Sequence, residues 1–231
     1  MSALSIIQNA CTRLGITSPN AVFSSTDDQV IQLRNLMNQE GVELADDASW
    51  TRITKEKTFT SSAAAIQSGA VPSDFNWYLN DTMWNRGTMV KMSGPASPEE
   101  WQTYQAIAIV SLPAAVFRFR GGDLLIYPNP VAGQTCAYEY VSLNWVANDK
   151  AAMTVDADTA LLDETIITLG VIWRFLAAKG MDYAEQFRTY ELEKTKAIGR
   201  DGGKKKIYVG NSGPWNPWNA NIPQSSWNVS P

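Results

Sequence analysis

The sequence predicts an α+β protein. It is read as a helical bundle, with two N-terminal and two C-terminal helices, an inserted antiparallel β-sheet region and an extended C-terminal arm. Three observations predict it. Apolar residues recur at helical spacing near both ends of the folded part. The middle alternates with a period of two and contains a two-glycine hairpin signal. After Gly199 the composition turns rich in Pro, Asn and Trp. The implied boundaries are 1–49 with 146–202 for the helical part, 50–145 for the insertion and 203–231 for the arm.

The elements follow in order. Leu4, Ile7, Cys11 and Leu14 share one face, so a first helix runs from Ser2 to Leu14 and stops at Gly15. Residues 16–23 form a loop around Pro19. A second helix opens at Thr26, with Gln29 three residues later as a capping box. Asp27 and Asp28 add charge that suits the positive helix start. Val30, Leu33, Met37 and Leu44 carry its stripe to about Asp46. Gly41 interrupts that stripe at a cost of about 1 kcal/mol relative to Ala.

From Arg52 to Thr60 the residues alternate and are rich in Thr, which predicts a half-exposed strand. Residues 61–69 are small and polar and read as a loop. Val71-Pro72-Ser73-Asp74-Phe75 leads into an aromatic cluster with Trp77, Tyr78 and Trp84. Met89 to Met92 reads as a short strand, and Gly94-Pro95 as a breaker. Ser97, Pro98, Glu99 and Glu100 supply an N-cap, a first-turn Pro and two acids, which starts a short helix. Residues 115–120 and 123–127 flank Gly121-Gly122 as a hairpin. Thr135 to Leu143 alternates again, with Cys136, Tyr138 and Tyr140 on one face and Ala137, Glu139 and Val141 on the other.

The organising stretch is Leu161 to Gly199, read as a helical hairpin. Its first helix carries Leu162, Ile166, Leu169, Ile172, Trp173 and Leu176, with Asp163 and Glu164 at the start and Lys179 at the end. Gly180 is placed as a left-handed cap. The second helix opens on Asp182 and Glu185, carries Tyr183, Phe187, Tyr190 and Ile198, and stops at Gly199. Beyond it, Pro214, Pro217, Pro223 and Pro231 block helix and central strand. Three of the nine tryptophans, Trp215, Trp218 and Trp227, also fall there. A disordered tail is normally poor in aromatics. The combination predicts an arm that docks its rings on another surface, the alternative being an arm that packs on its own domain.

Composition narrows the chemistry. The chain has 231 residues and a net charge of −4. That charge argues against a protein that grips nucleic acid over its whole surface. Histidine is absent, which removes every Ser-His-Asp, Cys-His and His-ligated metal site. Cys11 and Cys136 read as buried thiols, and a disulfide requires that the fold bring them together. No apolar run approaches the ~18 residues that span a bilayer, and residues 1–10 carry no signal-peptide pattern. The protein is expected to stay where it is made until it assembles. Asp156, Asp158, Asp163 and Glu164 form the densest acidic run. It lacks the spacing of an EF-hand loop and reads as a solvated loop plus helix-start charge. The glycine pairs Gly121-Gly122 and Gly202-Gly203 do not sit in a phosphate-loop pattern. Lys204, Lys205 and Lys206, followed by Ile207 and Tyr208, are a candidate phosphate contact or a solvated hinge. No cofactor or metal site is evident.

Several stretches, in order, carry a resemblance. They are Val71-Pro72-Ser73-Asp74-Phe75, Asn80-Asp81-Thr82-Met83-Trp84-Asn85-Arg86, and Gly94-Pro95 with Pro98-Glu99-Glu100-Trp101. Further on come Phe117-Arg118-Phe119-Arg120-Gly121, Glu139-Tyr140-Val141-Ser142 and Leu161-Leu162-Asp163-Glu164. Leu169-Gly170, Ile172-Trp173-Arg174-Phe175 and Ala178-Lys179-Gly180-Met181-Asp182-Tyr183-Ala184 complete the series. Over residues 70 to 203 it resembles the head-to-tail adaptor (connector) proteins of short-tailed bacteriophages.

The resemblance implies a structural protein of the virion neck with no catalysis, assembled in the host cytoplasm. It implies a ring of this chain, usually twelve copies, beneath the portal protein. The ring prolongs the DNA channel used in genome ejection and gives the tail nozzle a place to dock. DNA would pass through without specific binding, and no membrane is involved. The C-terminal segment would embrace the portal through Tyr208, Trp215, Trp218 and Trp227. Two other readings follow from the residues alone. Nine Trp and eight Tyr suit a glycan-binding tail or fibre module, which predicts exposed rings clustered on one sheet. Asp74 with Asp81 would serve a hydrolase using paired carboxylates.

Overall fold

A computed structural model describes residues 2–107 and 114–202. The first helix, α1 (Ala3–Leu14), is capped by the Ser2 hydroxyl, which accepts from the Ser5 N–H at 3.3 Å. The second, α2 (Asp28–Asp47), begins one residue later than its Thr26–Gln29 pattern suggests. Asp27 is the cap, and its Oδ1 accepts from the Gln29 N–H at 2.8 Å. A carboxylate here both bonds the free N–H and meets the helix dipole, which a threonine hydroxyl does not.

The expected strand from Arg52 is shorter at its start. Residues 51–53 make one 3-10 turn, and β1 runs Thr54–Thr60. The Thr54 hydroxyl and N–H both bond back to the Trp50 carbonyl, which holds the turn. Residues 61–69 are more than a loop, because they contain β2 (Ile66–Gln67). Then follow β3 (Phe75–Tyr78), β4 (Trp84–Asn85) and β5 (Val90–Lys91). Next come α3 (Pro98–Ile107), β6 (Val116–Arg120), β7 (Asp123–Tyr127) and β8 (Thr135–Ser142). The last two helices are α4 (Glu164–Ala178) and α5 (Ala184–Arg200).

The strands form two antiparallel sheets. One runs β1-β8-β4-β5, with β3 also on β8; the other runs β2-β7-β6. The hairpin of β6 and β7 turns at Gly121-Gly122, as its sequence indicates. Strand β8 belongs to two cores at once. Opposed residues share a face, so Phe59 with Cys136, Lys57 with Tyr138 and Lys55 with Tyr140 lie on one side. Cys136, Tyr138 and Tyr140 enter a core with Phe75, Tyr78, Phe117 and Ile126. Val141, on the other side, enters the helical core, with Trp77 packed against it. The aromatic stretch 75–84 is therefore divided. Phe75 and Tyr78 serve the sheet core, Trp77 serves the helical core, and Trp84 sits half-buried opposite Ala137.

Helix α4 touches α1, α2 and α5. Its residues Ile166 to Ile172 are buried without a break. A single stripe is the expectation; three packing partners explain burial on all sides. Gly170 belongs to this run. A Cβ there would lie 2.2 Å from Glu40 Cδ. Gly41 of α2 is similar, because a Cβ would lie 2.2 Å from the Trp145 indole, itself fully buried. The glycine that looks like a defect in the α2 stripe admits the largest side chain of the core.

Helix α5 departs from its sequence reading in three ways. It runs to Arg200, so Gly199 lies inside it. The Asp182–Glu185 capping box does not form. Asp182 Oδ1 instead accepts from the Ala184 N–H at 3.1 Å. Its buried residues are Tyr190 and Ala197, while Phe187 and Ile198 are each 39% exposed. The turn before it follows the sequence, with Gly180 at φ +68°.

Candidate functional site: interaction surfaces

Helices α2 and α5 both pack on α4, and side chains reach between them. Tyr190 faces Glu40, Lys194 Nζ pairs with Asp47 Oδ2 at 3.2 Å, and Asp201 meets Thr51. The last contact is double. Asp201 Oδ2 accepts from the Thr51 N–H and Oδ1 from the Thr51 hydroxyl, both at 2.7 Å. It ties the residue after α5 to the first residue of the 3-10 turn after α2.

Deeper in the same joint, Arg174 of α4 holds two glutamates of α2. Its Nε donates to Glu40 Oε2 at 2.7 Å and its Nη2 to Glu43 Oε2 at 2.6 Å. The guanidinium also lies 4.5 Å from the Trp173 ring centroid. Glu40 is fully buried. Its Oε1 has no well-formed hydrogen bond, and the Tyr190 hydroxyl is the weaker polar neighbour of the carboxylate. Burial pushes the Glu40 carboxyl up, and Arg174 and Tyr190 only partly offset this. Burial also acts to raise Glu43, but Gln39 and Arg174 outweigh it and hold that carboxyl below its ordinary value. This charged joint is absent from the sequence reading. Its members are up to 134 residues apart, and the only hint was two glutamates three apart on one helix.

Two grooves open on the surface. One, of about 610 Å³, is lined by Trp50, Arg52, Leu161, Asp163, Ala197 and Arg200, next to the Asp201 anchor. The other, of about 560 Å³, lies on the outer face of the larger sheet, over Trp84, Ala137, Met89, Glu56 and Glu139. Arg86 pairs with Glu56 across its rim. Apolar side chains are also left exposed around α5: Met181, Tyr183, Phe187, Leu192 and Ile198.

The acidic run is not a solvated loop. Asp156 Oδ1 accepts from the Val22 and Phe23 N–H groups at 2.9 and 3.0 Å. Asp158 is buried and accepts from the Thr154 and Val155 N–H groups and from Lys150 Nζ. Burial acts to raise this carboxyl, but Lys150 and the two N–H groups hold it down at about 2. Asp163 caps α4 through the Thr165 N–H at 2.9 Å. Their carboxylates tie loops and a helix start. Among the described residues no group of three or more Cys, Asp or Glu could hold a metal ion.

Asp74 and Asp81 are not brought into a pair. Asp74 accepts from Lys55 Nζ, the Tyr140 hydroxyl and the Ser142 hydroxyl, while Asp81 pairs with Lys91. Burial acts to raise Asp74, and these donors hold it low. Cys11 and Cys136 are free thiols in different cores. The rings of Phe75, Phe119, Tyr138 and Tyr140 pack on one another. No exposed stacking platform is formed by them. Tyr208, Trp215, Trp218, Trp227 and Lys204–Lys206 lie outside the described residues. No helix among the described residues is long and apolar enough to cross a membrane.

Comparison with known proteins adds one match. The family model described as SU10 adaptor protein matches residues 1–216. The match spans both helical pairs and both sheets, includes Tyr208 and Trp215, and ends before Trp218 and Trp227. No curated protein matches the chain. The ordered motifs that resemble phage head-to-tail adaptors and the family match thus agree, and the chain belongs to the SU10 adaptor protein family.

Proposed function

We propose that the protein is the ring-forming head-to-tail adaptor of a phage virion. Copies of the chain, twelve in a ring, join the portal protein to the tail nozzle and prolong the DNA channel. The observation that carries this is the family match over residues 1–216. Segments 1–49 and 146–202 build the ring wall, the insertion 50–145 meets the nozzle, and the arm 203–231 grips the portal. Tyr208, Trp215, Trp218 and Trp227 are its anchors, since buried aromatic rings give slow dissociation. The apolar side chains exposed around α5 supply a surface that neighbouring copies could cover. A net charge of −4 suits a channel wall that forms few phosphate contacts, so DNA slides. The protein works in this role without catalysis, in the virion neck, after assembly in the host cytoplasm.

Mass measurement in solution tests the reading, alone and with the cognate portal, for the full chain and for a chain ending at Gly203. A ring formed on the portal by the full chain only supports both adaptor and arm. Equal binding by both forms removes the arm assignment. No association by either removes the adaptor reading.

A further inference from the structure

The two sheets of the insertion pack as a sandwich whose outer faces carry opposite charge. Phe59, Cys136 and Tyr138 of the larger sheet share one core with Phe117, Leu124 and Ile126 of the smaller. Side chains alternate along a strand, so Glu56, Trp84 and Glu139 lie on the outside of the larger sheet. Arg118 and Arg120 of β6 lie on the outside of the smaller sheet, toward the Gly121-Gly122 turn. Facing sheets stand about 10 Å apart. The two outer faces therefore point away from each other, and one chain does not bring them together.

The outside of the larger sheet is short of a cation. Glu56 and Glu139 are directly opposed across β1 and β8, a like-charge pair that costs stability. Arg86 answers Glu56 and Lys91 answers Asp81. Among the described residues Glu139 enters no ion pair. Beside it the groove of about 560 Å³ is walled by the half-buried Trp84 and by Met89, which is 79% exposed. Such a groove suits an arginine. Its stem lies on the apolar wall and its guanidinium meets the indole and the carboxylate. On the smaller sheet the balance is reversed. Arg118 and Arg120 stand about 7 Å apart on one face of β6, and neither enters an ion pair among the described residues. Asp123, opposite Arg120, is the one carboxylate of the hairpin.

We propose that the β6–β7 hairpin of one copy seats in the Trp84–Glu139 groove of the next, with Arg118 and Arg120 supplying the cation that Glu139 lacks. A second copy is the occupant because this chain itself carries the complementary charge, on the face turned away from its own groove. A contact between two different patches is head-to-tail, and repeated copies then close into a ring or run on as a filament. The proposal rests on the ring reading and deepens it by naming the surfaces that meet.

Mass measurement of the full chain in low salt, alone and with the cognate portal, tests it. Thermal unfolding reports that each variant is folded. The variants are Arg118→Glu with Arg120→Glu, and Glu139→Arg. Each by itself should weaken self-association at least about tenfold, through like charges brought together. Mixed in equal amounts, the two should recover assemblies larger than a dimer. In the mixture each altered hairpin meets an altered groove and each native hairpin a native groove. Should a reversed chain unfold, Arg118→Gln with Arg120→Gln removes the charge alone and should also weaken association. Native-like assembly by the folded variants, or no recovery on mixing, overturns the contact and leaves the ring reading in place. Recovery that stops at a dimer overturns it too, by making the contact two-fold. A native chain that forms no ring, alone or on the portal, overturns both the ring reading and the contact.

Discussion

Asp158 and Arg174 show how a single charge joins segments that the sequence leaves unconnected. The Asp158 carboxylate collects Lys150 and two backbone N–H groups. Asp158→Asn should destabilise the fold by about 2 kcal/mol, the usual cost of hydrogen bonds to a charged group, measured by denaturant unfolding at pH 7. The pH dependence follows from the sign. The folded carboxyl sits at about 2, below its unfolded value of about 4. Its stabilisation is therefore full above pH ~4 and is lost as the pH falls toward 2. An acid titration of stability should show that loss in the native protein and a smaller one in the variant. At the α2–α4 joint the order of damage is specific. Arg174→Met leaves Glu40 buried without its cation and should cost about 3–5 kcal/mol. Glu40→Gln should cost clearly less, since burial already favours a neutral group there. Equal losses in thermal unfolding would sink this ranking. The Ser97 helix start was legible because its partner lies within three residues; Ser2 and Asp163, read as helix-start residues, are the caps themselves. Arg174 was not legible, because both of its partners come from a helix distant in sequence.

At the level of elements, glycine separates local from tertiary control. By propensity alone, Ala at position 41, 170 or 199 should stabilise each helix by about 1 kcal/mol. At Gly41 and Gly170 the added Cβ meets Trp145 and Glu40. Gly41→Ala and Gly170→Ala should each cost about 1–3 kcal/mol through overpacking. Gly199 has open space around its Cβ position, and Gly199→Ala should raise stability by about 0.5–1 kcal/mol. Denaturant midpoints of the three variants give the signs directly. The same contrast explains the reading of the helices. Stripe positions placed α1, α2, α4 and α5, and alternation with two glycines placed the β6–β7 hairpin. The short strand β2 escaped notice because two residues carry no period. It exists because β7 offers a partner. Helix α5 extends through Gly199 because its terminal contacts, Asp201 to Thr51, hold it there.

For the molecule as a whole, the surface decides assembly. Leu192 is 51% exposed, so Leu192→Glu should leave the unfolding free energy within about 0.5 kcal/mol of the native value. On the ring reading, the same change should reduce self-association in a mass measurement at matched concentration. Intact rings in that variant would remove the α5 surface from the interface. The sequence by itself determined the α+β class and the order of the main elements. It also carried the motif series that marks the family. All of these rest on neighbours a few residues apart or on ordered local words. Tertiary structure alone decided that β8 divides its faces between two cores and that the strands split into two sheets. It alone tied Glu40 to Arg174, Trp145 to Gly41 and Asp201 to Thr51. Those contacts depend on which distant segments meet, and residue order does not specify that until the chain has folded.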